Sequence, residues 1–545
     1  MKKNKLKKNT FIQGTLIASV SLILIKVLGA LYVIPFYKII GEEGGTLYSY
    51  AYNIYNLFLS VSTAGIPVAM SMIISEYLAL NMYDAKERSY KVGKEMVTVL
   101  AIVTFSLVFF ESDIFAKFIL SDVTGGHSIK EVSTVIKAIA PCLLIIPFLS
   151  IIRGYMQGHK FIAPTSYAQV IEQVVRILVV IFGSYVTIKI LNKSVTLGVS
   201  VALTGAFFGG LISYIYLRLK VRNNKGAFPE PEEKDRVKNN AIAKKIITYC
   251  IPIVLISVID SLYNIVDIKF IIKGLNLVGY TAMESEIISG VVATWAPKIC
   301  ALIISVSIAL TTNIIPHVTT NFIKKDFEGV SYRINQAVST MLVMSIPMSL
   351  MLFLLSSDVY YIFYGTSKYG TLVLKMSAIS HLLLGLWSIA NTSLQSMKKF
   401  NVIYKNSFIG LAINAALDIP LIMLFSKIGL PAYIATIISS CIGFFTSFMI
   451  AVNYLKREMK FSFSNTFNVL KRLITPVICI VVPITICRYF ITYNQTMINS
   501  FISLALYGTF GMLVYLIFTY KNGVLGEVFG QENIDKILIK LNLKK

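Results

Sequence analysis

The run "IPIVLISVIDSLYNIVDIKF" carries Asp260, Tyr263, Asn264 and Asp267 at i, i+3, i+4 and i+7, which is one face of a helix. Two carboxylates on such a face cannot point into lipid, so the stripe must meet protein or water. It serves either as interhelical hydrogen bonding or as a cation or proton site. Asn414 and Asp418 stand one helical turn apart in a second apolar run. Their amide and carboxylate oxygens are hard ligands, suited to Na⁺ or H⁺ coupling. Glu172 and Arg176 have the same spacing in a third run, flanked by Gln169 and Gln173. Opposite charges one turn apart neutralise each other, so this pair is expected to be structural first. Asp418, with no partner in its own helix, is the better candidate for a coupling ion.

Lys26 falls near the middle of the first apolar run, too deep for its stem to reach an interface. It is expected to face an internal cavity. In "GTLYSYAYNIYNLFLSVSTAG", Tyr48, Tyr52 and Tyr55 share a face, with Asn53 and Asn56 beside them. This is either an interfacial aromatic belt or a sugar-stacking surface at a cavity mouth. The four histidines are scattered and suggest no site. The six cysteines lie in or beside apolar runs without C-x-x-C spacing, so they read as packing residues rather than disulfides or zinc ligands.

These residues need elements that hold them inside a membrane. Of the 545 residues, 56% are hydrophobic and 14% charged, against about 25% charged in soluble domains. The apolar residues come in runs of about 20, the length that crosses about 30 Å of hydrocarbon. The expected fold is an all-α polytopic membrane protein of about fourteen spans. A net charge of +24 suggests nucleic acid at first. However, most Lys and Arg fall in segments that are cytoplasmic if both termini are, so the charge is topogenic and favours anionic lipid headgroups. The stretch "RGYMQGHK", Arg153 to Lys160, reads as such a cytoplasmic loop between the fourth and fifth spans.

The charged stretch 218–245, with Pro229 and Pro231, separates an N-terminal lobe of six spans (1–217) from a C-terminal lobe of six (246–455). Residues 456–545 add two spans and a cytoplasmic tail. "IPVAMSMIISEYLALN" (Ile66–Asn81) parallels "IALTTNIIPHVTTN" (Ile308–Asn321), and "YMQGHK" (Tyr155–Lys160) parallels "SLQSMK" (Ser393–Lys398). Two matches at the same place in each six-span pattern point to duplicated lobes related by a pseudo-two-fold axis along the membrane normal. Gln173 and Asn414 fall at equivalent positions of the two fifth spans.

The stretches Lys26–Tyr77, "KVLGALYVIPFYKIIGEEGGTLYSYAYNIYNLFLSVSTAGIPVAMSMIISEY", and Arg153–Ile177, "RGYMQGHKFIAPTSYAQVIEQVVRI", resemble one branch of the polysaccharide transporters. This is the stage V sporulation protein B branch, which is close to the MurJ-type lipid II flippases within the multidrug/oligosaccharidyl-lipid/polysaccharide exporter superfamily. The resemblance implies a non-enzymatic flippase of the bacterial plasma membrane that works by alternating access. It would move an undecaprenyl-pyrophosphate-linked sugar, with lipid II of wall or spore-cortex synthesis first among candidates. Lys26 then matches a basic residue that engages the diphosphate. Asp267 (or Asp260) with Asn414 and Asp418 matches a sodium site. Lys298, beside Pro297, stands near an arginine of relatives. The second span lacks the charges that Gram-negative members carry. No cofactor other than a coupling Na⁺ or H⁺, no nucleic acid and a monomeric state are expected, with membrane lipids and wall synthases as partners. The competing readings are a flippase for another wall polymer, a cation-coupled drug exporter, and a non-transporting scaffold for wall synthases.

Overall fold

The computed structural model describes residues 11–63, 65–120, 125–228, 237–459, 461–490 and 494–540, and the regular structure among them is entirely helical. Among the described residues thirteen segments are long and apolar enough to cross a membrane, preceded by the apolar α1 (Phe11–Leu31). By packing, the chain divides into two compact units between Ala293 and Thr294.

In the first unit α1 is followed by α2 (Val33–Thr63), α3 (Ile66–Ala79), α4 (Tyr83–Phe110), α5 (Ser112–Leu120), α6 (Ile129–Ile139), α7 (Cys142–Gly158), α8 (Ile162–Leu178), α9 (Val195–Leu203), α10 (Gly205–Asn223), α11 (Asn239–Leu277) and α12 (Ala282–Gly290). The second unit holds α13 (Ala296–Ile323), α14 (Phe327–Leu354), α15 (Ser356–Tyr364), α16 (Gly370–Ser396), α17 (Phe400–Lys427), α18 (Ala435–Met459), α19 (Ser464–Phe490), α20 (Met497–Lys521), α21 (Val524–Phe529) and α22 (Gln531–Lys540). The expected second span begins earlier than its sequence suggested. α2 starts at Val33 and bends at Gly41, whose φ of 69° only glycine adopts readily.

The boundary between units is not the charged linker. α11 follows that linker in sequence but packs on α2, α3, α4, α5 and α12, all in the first unit. Solvated sequence marks where chain can be spared, whereas a compact unit is defined by packing. The acidic centre of the linker, 229–236, lies outside the described residues. Its two flanks are tied to the same unit. Phe228 is buried among Tyr155, His159 and Phe161, at ring separations of 5.5, 4.9 and 5.2 Å. Arg88 donates to the Val237 carbonyl and, at 3.2 Å, to Asn239 Oδ1. Nearly two turns into α11, Lys245 pairs with Glu76 at 2.6 Å.

The internal duplication appears in how helices end. Asn81 and Lys325 close the second span of each half with φ of 57° and 58°, and Lys160 and Lys398 close the fourth with 65° and 57°. The following amides, Met82, Asp326, Phe161 and Lys399, all reach back to the carbonyl five residues earlier. This is the Schellman termination, usually made by glycine. Short helices α5 and α15 follow the third span of each half.

The last two spans are fastened to the second unit. α19 and α20 pack on α14 through Val343, Val469, Leu473, Ile480, Ile484 and Tyr515, and Tyr515 Oη donates to the Val343 carbonyl at 2.7 Å. A polar clasp sits at the end of this face. Arg488 of α19 donates to Asp358 of α15 at 2.8 Å, to Ser357 Oγ at 2.7 Å and to the Leu354 carbonyl at 3.1 Å. Ser503 of α20 reaches the same carboxylate at 3.0 Å.

Candidate functional site

Each unit holds its own polar cluster. In the first unit, "RGYM" is not a loop. α7 continues through Gly158, because no residue before Lys160 stops it, and so Arg153 stays within the helix. Its guanidinium donates to Glu172 Oε2 at 2.5 Å, while Arg176 contacts Glu172 Oε1 at 3.3 Å. Glu172 and Arg176 are therefore not a self-neutralised pair. They form a three-group cluster, Arg153–Glu172–Arg176, with 15%, 15% and 20% of each side chain exposed. Sequence reading missed Arg153 because the positive-inside rule already accounted for it.

α8 is positioned by close approach of α10. A Cβ on Gly209 would stand 2.6 Å from the Glu172 carbonyl oxygen, and one on Gly205 2.9 Å from that of Arg176. Small residues four apart let two membrane helices meet backbone to backbone. Gly209→Leu is expected to push α8 away, destabilising the protein by about 1–3 kcal/mol. Thermal melting of the purified protein checks this, and an unchanged midpoint would contradict it.

On its other side α8 meets α1, where a Cβ on Gly29 would stand 3.4 Å from Gln173 Nε2. Lys26, one turn before Gly29, is exposed. Tyr52 is half-buried between Tyr48 (5.5 Å, stacked) and Tyr55 (6.2 Å), both of which are buried. The Tyr48 and Tyr32 hydroxyls are 3.5 Å apart, and Cys142 Sγ donates to Tyr55 Oη at 3.5 Å. Tyr32, Tyr48, Tyr52 and Tyr55 all lie within electrostatic reach of Arg176. Asn53 faces inward: it is buried, and its amide donates to the Ser49 carbonyl at 2.9 Å and to Ser49 Oγ at 3.3 Å. Asn56 is half-buried and its carbonyl accepts from Ser60.

The α11 stripe changes character along its length. Asp260 is exposed, Asn264 is half-buried, and Tyr263 and Asp267 are buried. Asp267 belongs to the first unit, whereas Asn414 and Asp418 belong to the second.

A buried acid–base pair went unnoticed in the sequence. His127 Nδ1 is 2.5 Å from Glu286 Oε2, and the His127 amide donates to both carboxylate oxygens, at 3.1 and 3.3 Å. A usable signal existed, since Glu286 opens the eighth span with no basic residue on its own helix turn.

In the second unit Asn414 and Asp418 of α17 are both fully buried. Ser439 of α18 is a partner of Asp418 from a second helix. Its hydroxyl contacts Asp418 Oδ1, Asn414 Oδ1 (3.1 Å) and the Thr436 carbonyl (2.8 Å). Ser440 Oγ donates to Asn414 Oδ1 at 3.1 Å. The side-chain oxygens of Asp418, Asn414, Ser439 and Ser440 gathered here are hard donors, a chemistry compatible with an alkali cation. Two turns earlier Asn406 donates to Asn391 Oδ1 at 3.0 Å and accepts from Ser407 Oγ at 3.1 Å. Lys298 of α13 sits 4.2 Å from the centroid of the Trp295 ring.

With its described residues helical wherever they are regular and its charge clusters held inside apolar helices of spanning length, this is a multi-pass membrane protein, and solved structures share its fold. A structure titled "Lipid II flippase MurJ, inward closed conformation" superposes with a TM-score of 0.63 at 16% identity, covering 94% of this chain and 99% of that one. An inward-facing multidrug resistance MATE family transporter of the MOP superfamily superposes at 0.61 with 13% identity, over 81% and 98%. At such identity the likeness is one of fold. Residues 11–296 match the polysaccharide biosynthesis protein family, and the chain belongs to it. It is 26% identical over 533 residues to the lipid II flippase MurJ of Bacillus subtilis (strain 168), covering 95% of this chain and 97% of the relative. It is 24% identical over 411 residues to stage V sporulation protein B of the same organism, covering 75% and 77%.

Proposed function

We propose that this protein is a flippase that carries a lipid-linked, diphosphate-bearing wall precursor of the lipid II type from the inner to the outer leaflet by alternating access. The observation that carries the reading is the basic character of the first unit's membrane-spanning helices. Lys26, Arg153 and Arg176 lie in α1, α7 and α8, where basic residues persist only for function or pairing. A diphosphate is the matching substrate chemistry. The near full-length similarity to a lipid II flippase supports the same reading. A drug exporter with an organic-cation cargo gains nothing from such groups, and a scaffold for wall synthases needs none.

The proposed energy source is a cation. Asp418, Asn414, Ser439 and Ser440 would hold Na⁺, whose charge would offset that of the buried carboxylate. Both termini are proposed to be cytoplasmic, with the monomer as the working unit.

Complementation of a strain depleted of its lipid II flippases tests the substrate: rescue is expected, and failure with normal membrane expression removes lipid II from the reading. Lys26→Ala is expected to abolish rescue without loss of expression. Replacing Na⁺ by K⁺ in a flux assay is expected to reduce transport by about tenfold or more, the loss of roughly one charge-assisted contact. Unchanged flux would exclude sodium coupling.

A further inference from the structure

We propose that Arg176 is an anion hook for a phosphate group, kept available because Arg153 engages Glu172. The cluster has two guanidinium groups and one carboxylate, so it retains one positive charge. No other carboxylate among the described residues pairs with either arginine. The contacts are unequal: Glu172 lies 2.5 Å from Arg153 and 3.3 Å from Arg176. Arg153, held to α7, thus takes most of the carboxylate, and Arg176 is left as the under-neutralised group.

The rest of Arg176 fits this role. Its Nε, like that of Arg153, is buried without a hydrogen-bond partner, but its side chain is the more exposed of the two, at 20% against 15%. The phenols Tyr32, Tyr48, Tyr52 and Tyr55 lie within electrostatic reach of it, and Tyr52 is the half-buried one. An uncompensated charge among apolar helices is unfavourable unless an anion meets it. A planar guanidinium with open N–H groups is shaped for the oxygens of a phosphate. Glu172 sets the strength of the hook, because any change that turns it toward Arg176 neutralises the site. The phosphate chemistry stands on the cluster itself, and its linkage to a lipid rests on the flippase reading above.

The test is binding of a C15 isoprenyl diphosphate to the purified full-length protein in detergent, with melting temperature recorded for each variant. Arg176→Gln is expected to weaken binding by about 10- to 100-fold, the loss of a charge-assisted contact. Arg153→Gln should weaken it by about tenfold, because Glu172 is then free to neutralise Arg176. Glu172→Gln should bind at least as tightly as the wild type. The double variant Arg153→Gln/Glu172→Gln should return to wild-type affinity, which a purely structural cluster would not do. Inorganic pyrophosphate and phosphatidylglycerol are added as competitors. Displacement by the first assigns the site to free phosphate, displacement by the second to bulk lipid headgroups, and resistance to both to the lipid-linked diphosphate. Each of these keeps the hook.

Wild-type affinity in Arg176→Gln, or a double variant as weak as Arg153→Gln, overturns the proposal. Should Arg176→Gln fail to fold, the Glu172→Gln and double-variant pair decides. If the hook fails, complementation by the wild type is unaffected. If the flippase reading fails, the charge-dependent binding pattern persists without rescue.

Discussion

Asp418→Ala is expected to eliminate transport, lowering flux by about 100-fold or more, equivalent to losing a charged group with several hydrogen bonds, while membrane insertion stays normal. The argument is local. Asp418 is the one carboxylate among the described residues bonded to Ser439, it is fully buried, and it shares Ser439 with Asn414. Alanine removes the negative charge that a cation needs and leaves the Ser439 hydroxyl with only its Asn414 and Thr436 contacts. Asp418→Asn separates the two effects, because an amide oxygen still accepts from Ser439 but carries no charge. If Asp418 serves only packing, the asparagine variant keeps wild-type flux and alanine alone fails. If it serves the ion, both fail. Reconstituted flux with and without Na⁺, alongside melting temperatures, tells these cases apart.

Arg488→Ala is expected to destabilise the protein by about 3–5 kcal/mol, the penalty for leaving a buried charge without its partner. Asp358 is 1% exposed and Arg488 23% exposed, so solvent screens the carboxylate little. The loss should concentrate where the clasp sits, freeing α19 and α20 from α15. Protease sensitivity should therefore rise in the 464–521 segment first. Replacing both residues by leucine should recover most of the stability, since apolar substitutes for a buried ion pair are often neutral or better. A double-leucine variant as unstable as Arg488→Ala would show that the hydrogen bonds to Ser357 and Leu354 matter more than the ion pair.

The spans were legible in the sequence because hydrocarbon thickness imposes their length, and from α4 onward the long apolar runs coincide with helices. The polar residues were legible as well, since charge inside an apolar run is conspicuous. Their partners were not. Arg153 and Glu172 are joined across two helices, as are Asp418 and Ser439, and His127 in the bend before α6 is joined to Glu286 of α12, whereas helical periodicity describes only one helix at a time. Asn53 shows the same limit. It shares a turn with the tyrosines, yet its amide folds back onto Ser49. The compact-unit boundary at Ala293/Thr294 differs from the linker between the lobes for a related reason. A charged linker is visible in one dimension, whereas the packing of α11 against α2 to α5 is visible only in three.

The anchoring of Phe228 and Val237 has a practical consequence for taking the chain apart. Since both flanks of the acidic stretch are fixed to one compact unit, a cut within 229–236 releases neither new terminus from its seat. The two fragments, 1–228 and 237–545, each keep a docking contact for the other, so their co-expression is a route to a two-piece protein. Labels or domains could then be introduced at the break without disturbing any membrane-spanning helix.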